Sequence, residues 1–257
     1  MKTRKIVVIS ITIVFLLIAI LSCFSFFSVS KVEVDFSTLK NTDAVKVQSD
    51  LDEFIGKNLL FLETEEVNDS LAKYPYLEVL SVEKDYPNVI KVSLKERREV
   101  YYLENDGKVF ILDQTGFVVN QIAPEQLTDV REKIEITLNN IEIQQLAVGN
   151  QLKTDNDNLI STAFKMANSV SLTDCIKSMS IDSKSALKNV NVTTYTGVQI
   201  WVTKAEENGV EKIKKAFLYY DQTVTDYQKA FDTLIVTTNR ESGQIEVTWS
   251  DRSEIGE

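Results

Sequence analysis

One stretch constrains this chain before any other. Ile6 to Val29 runs 24 residues without a charged side chain. At about 1.5 Å of rise per helical residue, ~20 apolar residues span the ~30 Å hydrocarbon core of a bilayer. Five hydroxyl residues interrupt the run (Ser10, Thr12, Ser22, Ser25 and Ser28). They are tolerable there, because a helical hydroxyl bonds its own backbone. Lys2, Arg4 and Lys5 precede the run, and Glu33 and Asp35 follow Lys31 beyond it. That asymmetry predicts a single-pass helix over 6–29, residues 1–5 in the cytoplasm and the bulk of the chain outside the cell (plasma) membrane. A cleaved signal peptide fits less well. Its apolar region is about 7–15 residues and ends at small residues, whereas this run is longer and passes through Phe24-Ser25-Phe26-Phe27. Lipid attachment at Cys23 is disfavoured by Leu21 and by Phe24 beside it.

Charge and composition narrow the function. The 257 residues include 28 Lys+Arg, 38 Asp+Glu and no His, for a net charge of −10. Without the three N-terminal cations, 25 basic residues face 38 acidic ones, so the outer portion stands at −13. Phosphate backbones need a basic patch, which argues against nucleic acid. It also argues against lying flat on an anionic membrane. The missing histidines remove the commonest metal ligand and the commonest neutral-pH base. Two cysteines, Cys23 and Cys175, do not make a zinc site. Cys175 reads as a small buried apolar residue. No Gly-rich phosphate loop and no Ser/His/Asp set occurs, so no catalytic, metal or cofactor-binding residue is assigned. The acids Glu63, Glu65 and Glu66, and Glu206 with Glu207, fall at predicted helix starts, where negative charge is stabilising without chemistry.

Residues 30–97 read as one folded unit. Ser30 to Phe36 alternates apolar and polar, as a half-buried strand does. Asp43 to Ile55 places Ala44, Val47, Leu51, Phe54 and Ile55 on one helical face, with Gly56 as its stop. Thr64 looks like the N-cap of a second helix carrying Val67 and Leu71 and ended by Pro75. Glu78 to Lys84 and Val89 to Glu96 are strands around a Tyr86-Pro87-Asn88 turn. The order is β-α-α-β-β.

These residues resemble the POTRA domain of the bacterial division family FtsQ/DivIB. The resemblance rests on Val32-Glu33-Val34 directly after the apolar run and on Gly56-Lys57-Asn58-Leu59-Leu60 between the helices. Further on come Tyr74-Pro75-Tyr76-Leu77, then Tyr86-Pro87-Asn88-Val89-Ile90-Lys91-Val92, and finally Glu96-Arg97 with Val100. A secretion or envelope-assembly partner would also use POTRA units. Such proteins usually carry several copies and a barrel, and neither pattern is seen here.

Residues 98–250 predict an open mixed sheet with two helices, so the fold class is α+β. Strands are expected at 100–103, 108–113, 117–119, 134–138, 176–181, 190–195, 198–202, 231–238 and 244–249. Helices are expected at 155–170 and 207–221. Residues 251–257 form an acidic tail. This segment resembles the β domain of the same family along its length. The resemblance implies a non-catalytic bitopic scaffold at the division septum that helps regulate septal cell-wall synthesis. Its implied partners are small bitopic coiled-coil division proteins of the FtsB/DivIC and FtsL type, and the septal peptidoglycan synthase.

The last strand predicts an edge whose unpaired backbone a partner strand can extend. The candidate partner-binding residues are Ser242, Gly243, Gln244, Ile245, Glu246, Val247 and Trp249. Ile245 and Val247 also read as core, and Trp249 stands at the strand's end. Where the family often carries Asp-Leu-Arg-Tyr, this chain has Thr237-Thr238-Asn239-Arg240. Its cytoplasmic tail is also short. An anchored extracellular hydrolase is the remaining rival and needs two acids converging in a pocket.

Overall fold

The computed structural model describes residues 2–36, 39–40, 42–128, 130–170, 175–184, 188–223 and 232–251, without the side chains of 2–10, 19, 20, 23, 232 and 251. Two compact units divide the chain, Met1–Arg97 and Arg98–Glu257.

The first unit opens with helix α1, Lys2–Phe26. The helix begins within the basic tail, so residues 2–5 are helical rather than a separate segment. The expected membrane span falls on α1, but part of its side chains lies outside the described residues. Among the described residues, no helix is long and apolar enough to cross a membrane. Strand β1 (Lys31–Val34) follows, shorter than the alternation of 30–36 suggested. Helices α2 (Ala44–Asp52) and α3 (Thr64–Leu71) precede β2 (Leu77–Asp85) and β3 (Val89–Glu96). The sheet order is β1-β3-β2. β1 runs parallel to β3 with Val32 opposite Ile90, and β3 runs antiparallel to β2 with Val92 opposite Val82.

Strand alternation sends Val32, Ile90, Val92 and Leu94 to the buried face, where the helices add Val47, Leu51, Val67 and Leu71. Asp43 starts α2 by accepting hydrogen bonds from Val45 N at 3.0 Å and Lys46 N at 3.3 Å, which satisfies orphan donors of the first turn. The helix stops at Asp52. Phe54 is still buried beyond it, whereas Ile55 turns outward. The cap of α3 is Glu63, one residue before the expected Thr64. The Glu66 carboxylate accepts from Glu63 N at 3.3 Å, the back-bonding half of a capping box, while the Thr64 hydroxyl donates to Glu65 at 3.1 Å.

The second unit contains strands β4 (Tyr101–Asn105), β5 (Lys108–Leu112), β6 (Val118–Ile122), β7 (Ile134–Asn139), β8 (Ile143–Gln145) and β9 (Lys153–Thr154). Helix α4 (Asp157–Asn168) leads to β10 (Ile176–Asp182), β11 (Asn189–Thr194) and β12 (Gln199–Val202). Helix α5 (Gly209–Thr223), β13 (Asp232–Thr238) and β14 (Ile245–Asp251) complete it. Among the described residues, nine strands form one sheet in the order β14-β13-β12-β11-β10-β7-β4-β5-β6. β4/β7, β7/β10 and β12/β13 are parallel pairs, and the other neighbours are antiparallel. The sheet is therefore open and mixed.

One face packs on α4 and α5 through Leu159, Ile160, Ala163, Phe164, Ile213 and Ala216. Tyr101 stacks on Phe164 with ring centroids 4.7 Å apart. The other face is mostly polar, with Thr137, Ser180, Asn191, Trp201 and Ile235 in register across five strands. Cys175 is half-buried against the core. The short ladder of β8 and β9, only three and two residues long, has no sequence pattern to announce it. Of the acidic tail, Asp251 ends β14 and 252–257 lie outside the described residues.

Candidate functional site

The hairpin joining β13 to β14 is built by Asn239. Its side-chain oxygen accepts from Glu241 N at 2.8 Å and Ser242 N at 3.1 Å, while its amide donates to Glu246 Oε1 at 2.7 Å. Its own N–H donates to Gln244 O at 2.8 Å, and its carbonyl accepts from Gly243 N at 2.9 Å. Gly243 takes φ +69, and a Cβ there would meet nothing within 4 Å. Glycine is thus used for backbone conformation rather than for close approach. Asn239 belongs to the segment where the family pattern fails. Its turn-forming role is the ordinary Asx behaviour of asparagine, and that signal was present in the sequence.

The Asn239-to-Gln244 bond sets the phase of the whole ladder. In an antiparallel pair, hydrogen-bonded and non-hydrogen-bonded residue pairs alternate. With Thr237 opposite Glu246 and Ile235 opposite Thr248, the even residues of β14 bond inward to β13. The backbone groups of Ile245, Val247 and Trp249 therefore face away from β13. An independent contact agrees, because Ile245 O accepts from the Lys215 ammonium on α5. Among the described residues β14 is the terminal strand of the sheet, so these outward groups line its edge.

Side chains follow the opposite assignment. Ile245, Val247 and Trp249 are half-buried against the core, whereas Gln244, Glu246 and Thr248 are exposed. Trp249 therefore lies on the same face as Ile245 and Val247, with Leu234 opposite it, and not free at the strand's end. Ser242 and Gly243 are exposed in the turn. All seven candidate residues thus fall on one hairpin. Its backbone is presented outward at the odd residues of β14, and its three apolar side chains support it from within.

α5 holds the edge in place. Lys212 is fully buried and donates to Thr203 O at 2.9 Å and Lys204 O at 3.2 Å. Burial pulls the Lys212 ammonium below the ordinary lysine range. Lys215, one turn on, reaches the first outward carbonyl of β14. Sequence reasoning missed both lysines. On a helix with many charges, nothing in one dimension separates a buried cation from a solvated one.

Other features of the molecule carry less. A cavity of about 580 Å³ opens where β4 and β7 part after Leu103 and Ile136, lined in part by Glu104, Asp106 and Glu135. Among the described residues, no group of three His, Cys, Asp or Glu side chains could hold a metal. Three of the acids expected at helix starts face cations, although Glu206 and Glu207 precede α5, which begins at Gly209; Glu207 meets Lys204 at 3.7 Å. Glu66 meets Lys57 at 3.0 Å, and Glu206 meets Lys188 at 2.9 Å. Lys57 lowers the Glu66 carboxyl below its usual range. These acids therefore act in local ion pairs.

The profile of the POTRA domain, FtsQ-type, matches residues 27–97. Three curated relatives are each named Cell division protein DivIB. The Clostridium botulinum protein is 21% identical over 62% of this chain and 59% of its own length. The Clostridium acetobutylicum protein is 23% identical over 68% and 70%, and the Clostridium tetani protein 23% over 81% and 75%. The chain is similar to the FtsQ/DivIB division proteins through this POTRA match and these relatives. The match to the FtsQ-type POTRA domain falls in unit 1, and the β14 hairpin lies in the segment that follows it. The chain spans about three fifths of the length of the first of these relatives.

Proposed function

We propose that this chain is a non-catalytic, single-anchored scaffold of the bacterial division machinery that binds its partners through the outward edge of β14. The observation that carries the reading is the phase of the last ladder. Consecutive odd residues of β14 direct N–H and C=O groups away from the sheet, and such an edge accepts another strand. The exposed Gln244, Glu246 and Thr248 side chains flank that edge and would select among strands. Backbone pairing suits the extended ends of small bitopic coiled-coil proteins of the FtsB/DivIC and FtsL type. The FtsQ-type POTRA domain would contribute recruitment to the septum or contact with the septal peptidoglycan synthase.

The anchor is α1, with its 24 uncharged residues and basic N-terminal flank. The described apolar side chains of α1 are exposed, Ile11, Phe15 and Leu21 at 64%, 73% and 68%. A helix surface of that kind is unsuited to water and suited to lipid. The N-terminus would be cytoplasmic, and both units would lie outside the membrane.

The test is co-purification of the full chain from dividing cells. The unaltered protein is expected to retain bitopic division proteins, and Val247→Pro to lose them while staying folded by circular dichroism. Equal retention by the two proteins, or normal septation after depletion, would overturn the reading.

A further inference from the structure

The C-terminal end of α1 is stitched to the loop between α2 and α3, not hung from it. Val29 N donates to Lys57 O at 2.8 Å, Gly56 N to Val29 O at 2.8 Å and Leu59 N to Phe27 O at 2.7 Å. Asn58 Nδ2 donates to Phe24 O at 3.2 Å, and Ser28 Oγ to Gly56 O at 3.1 Å. Five bonds across so short a junction remove the swivel that a flexible linker would give. Rings surround the same point. Phe24 stacks on Phe61 at 5.7 Å, and Phe27 meets Tyr86 edge-on at 6.2 Å.

These side chains are not a core. Phe61 is 70% exposed, Phe26 63%, Tyr86 54%, Phe24 50%, Ile55 47% and Leu60 43%. They form a collar around the helix end. A contiguous apolar patch of this kind is uncommon on a domain surrounded by water. Lys57, the cation beside it, is engaged internally with Glu66 and lies 4.4 Å over the Phe54 ring.

We propose that this collar is a membrane seat. Ile55, Leu60, Phe61 and Tyr86 sink into the interfacial layer of the outer leaflet, so that unit 1 stands on the bilayer in one fixed orientation. The inference rests on the reading of α1 as an anchor. The occupant follows from continuity, because the uncharged run of α1 leads into the collar without a break. Aromatic side chains also collect at the boundary between hydrocarbon and water. The contact is apolar, so the net negative charge of the outer chain does not oppose it.

The test uses the full chain reconstituted in phosphatidylcholine vesicles. Phe61→Trp is compared with Val45→Trp, which places the probe on α2 outside the collar, and the signal of Trp201 and Trp249 is subtracted with the unaltered protein. The expected result for Phe61→Trp is blue-shifted emission, quenching by lipid brominated near the headgroup, and shielding from aqueous iodide. Val45→Trp should be quenched by iodide and not by the lipid. If the vesicles carry the protein but Phe61→Trp stays open to iodide and unquenched by lipid, the seat is wrong and the anchor stands. If the chain does not float with the vesicles, anchor and seat fall together.

Discussion

Proline at two adjacent positions of β14 separates the two edges of one strand. At Val247 the backbone N–H points away from β13, so proline removes a donor that the fold does not use. The side chain is half-buried, and trimming its contacts costs the fold about 1 kcal/mol. A docked partner strand loses one backbone hydrogen bond, worth about 0.5–1.5 kcal/mol net, and meets the proline ring in its path. Since 1.4 kcal/mol is about a factor of ten, binding should weaken by roughly tenfold or more. At Thr248 the N–H points inward to Ile235, so proline there leaves the Ile235 carbonyl without its donor. That costs the fold about 1–3 kcal/mol. The assay is calorimetric titration of the full chain in nanodiscs with the extracellular segment of an FtsB/DivIC-type partner, beside thermal unfolding of each variant. Val247→Pro should lower affinity with little change in melting temperature, and Thr248→Pro should lower the melting temperature more. A folded Val247→Pro that binds normally, or a Thr248→Pro that melts later than Val247→Pro, would refute the assigned phase.

Other expectations concern the supporting structure. Gly116 takes φ +86, and a Cβ there would sit 2.4 Å from Phe164 Cε2. Left-handed strain of about 1–2 kcal/mol and overpacking of about 1–3 kcal/mol add, so Gly116→Ala should destabilise unit 2 by roughly 2–5 kcal/mol in denaturant titration. Lys215→Ala uncovers the Ile245 carbonyl, and the expected result is several-fold tighter partner binding by the same calorimetry. Asp50 is held below the ordinary carboxylate range first by Lys73 and then by Tyr74. Its contribution to stability is present above the unfolded pKa and is lost as pH falls through the lower folded one. Asp50→Asn should therefore flatten the acid side of the unfolding profile of unit 1. Burial first, and then Asp50, push the Tyr74 phenol from 10.0 up to about 12. Its contribution is complete below pH 10 and fades as pH rises toward 12, and phenolate absorbance should show Tyr74 ionising late.

Much of this architecture was legible in the residues. The alternation at Ile90, Val92 and Leu94 and the helical spacing of Leu159, Ile160 and Ala163 mark core faces directly, because burial imposes those periods. The last strand was legible too, as was its two-sided character. Four things were not. The cap of α3 moved from Thr64 to Glu63 because two local hydrogen-bond schemes compete within one residue. Trp249 joined the buried face because strand parity continues through 251, beyond where the apolar pattern suggested it ended. Lys212 and Lys215 became visible only in three dimensions, since their partners are backbone carbonyls distant in sequence. The collar of Phe24, Phe61 and Tyr86 was likewise out of reach, because it joins residues up to 62 positions apart.

Amide hydrogen exchange on the full chain, with and without the extracellular segment of an FtsB/DivIC-type protein, tests the proposed binding at the β14 edge most directly. In the chain alone, the amides of Glu246 and Thr248 should already be protected by β13 while those of Val247 and Trp249 exchange readily. Partner addition should then slow Val247 and Trp249 selectively. A partner that binds and leaves both odd amides exchanging as before would contradict recognition through β14.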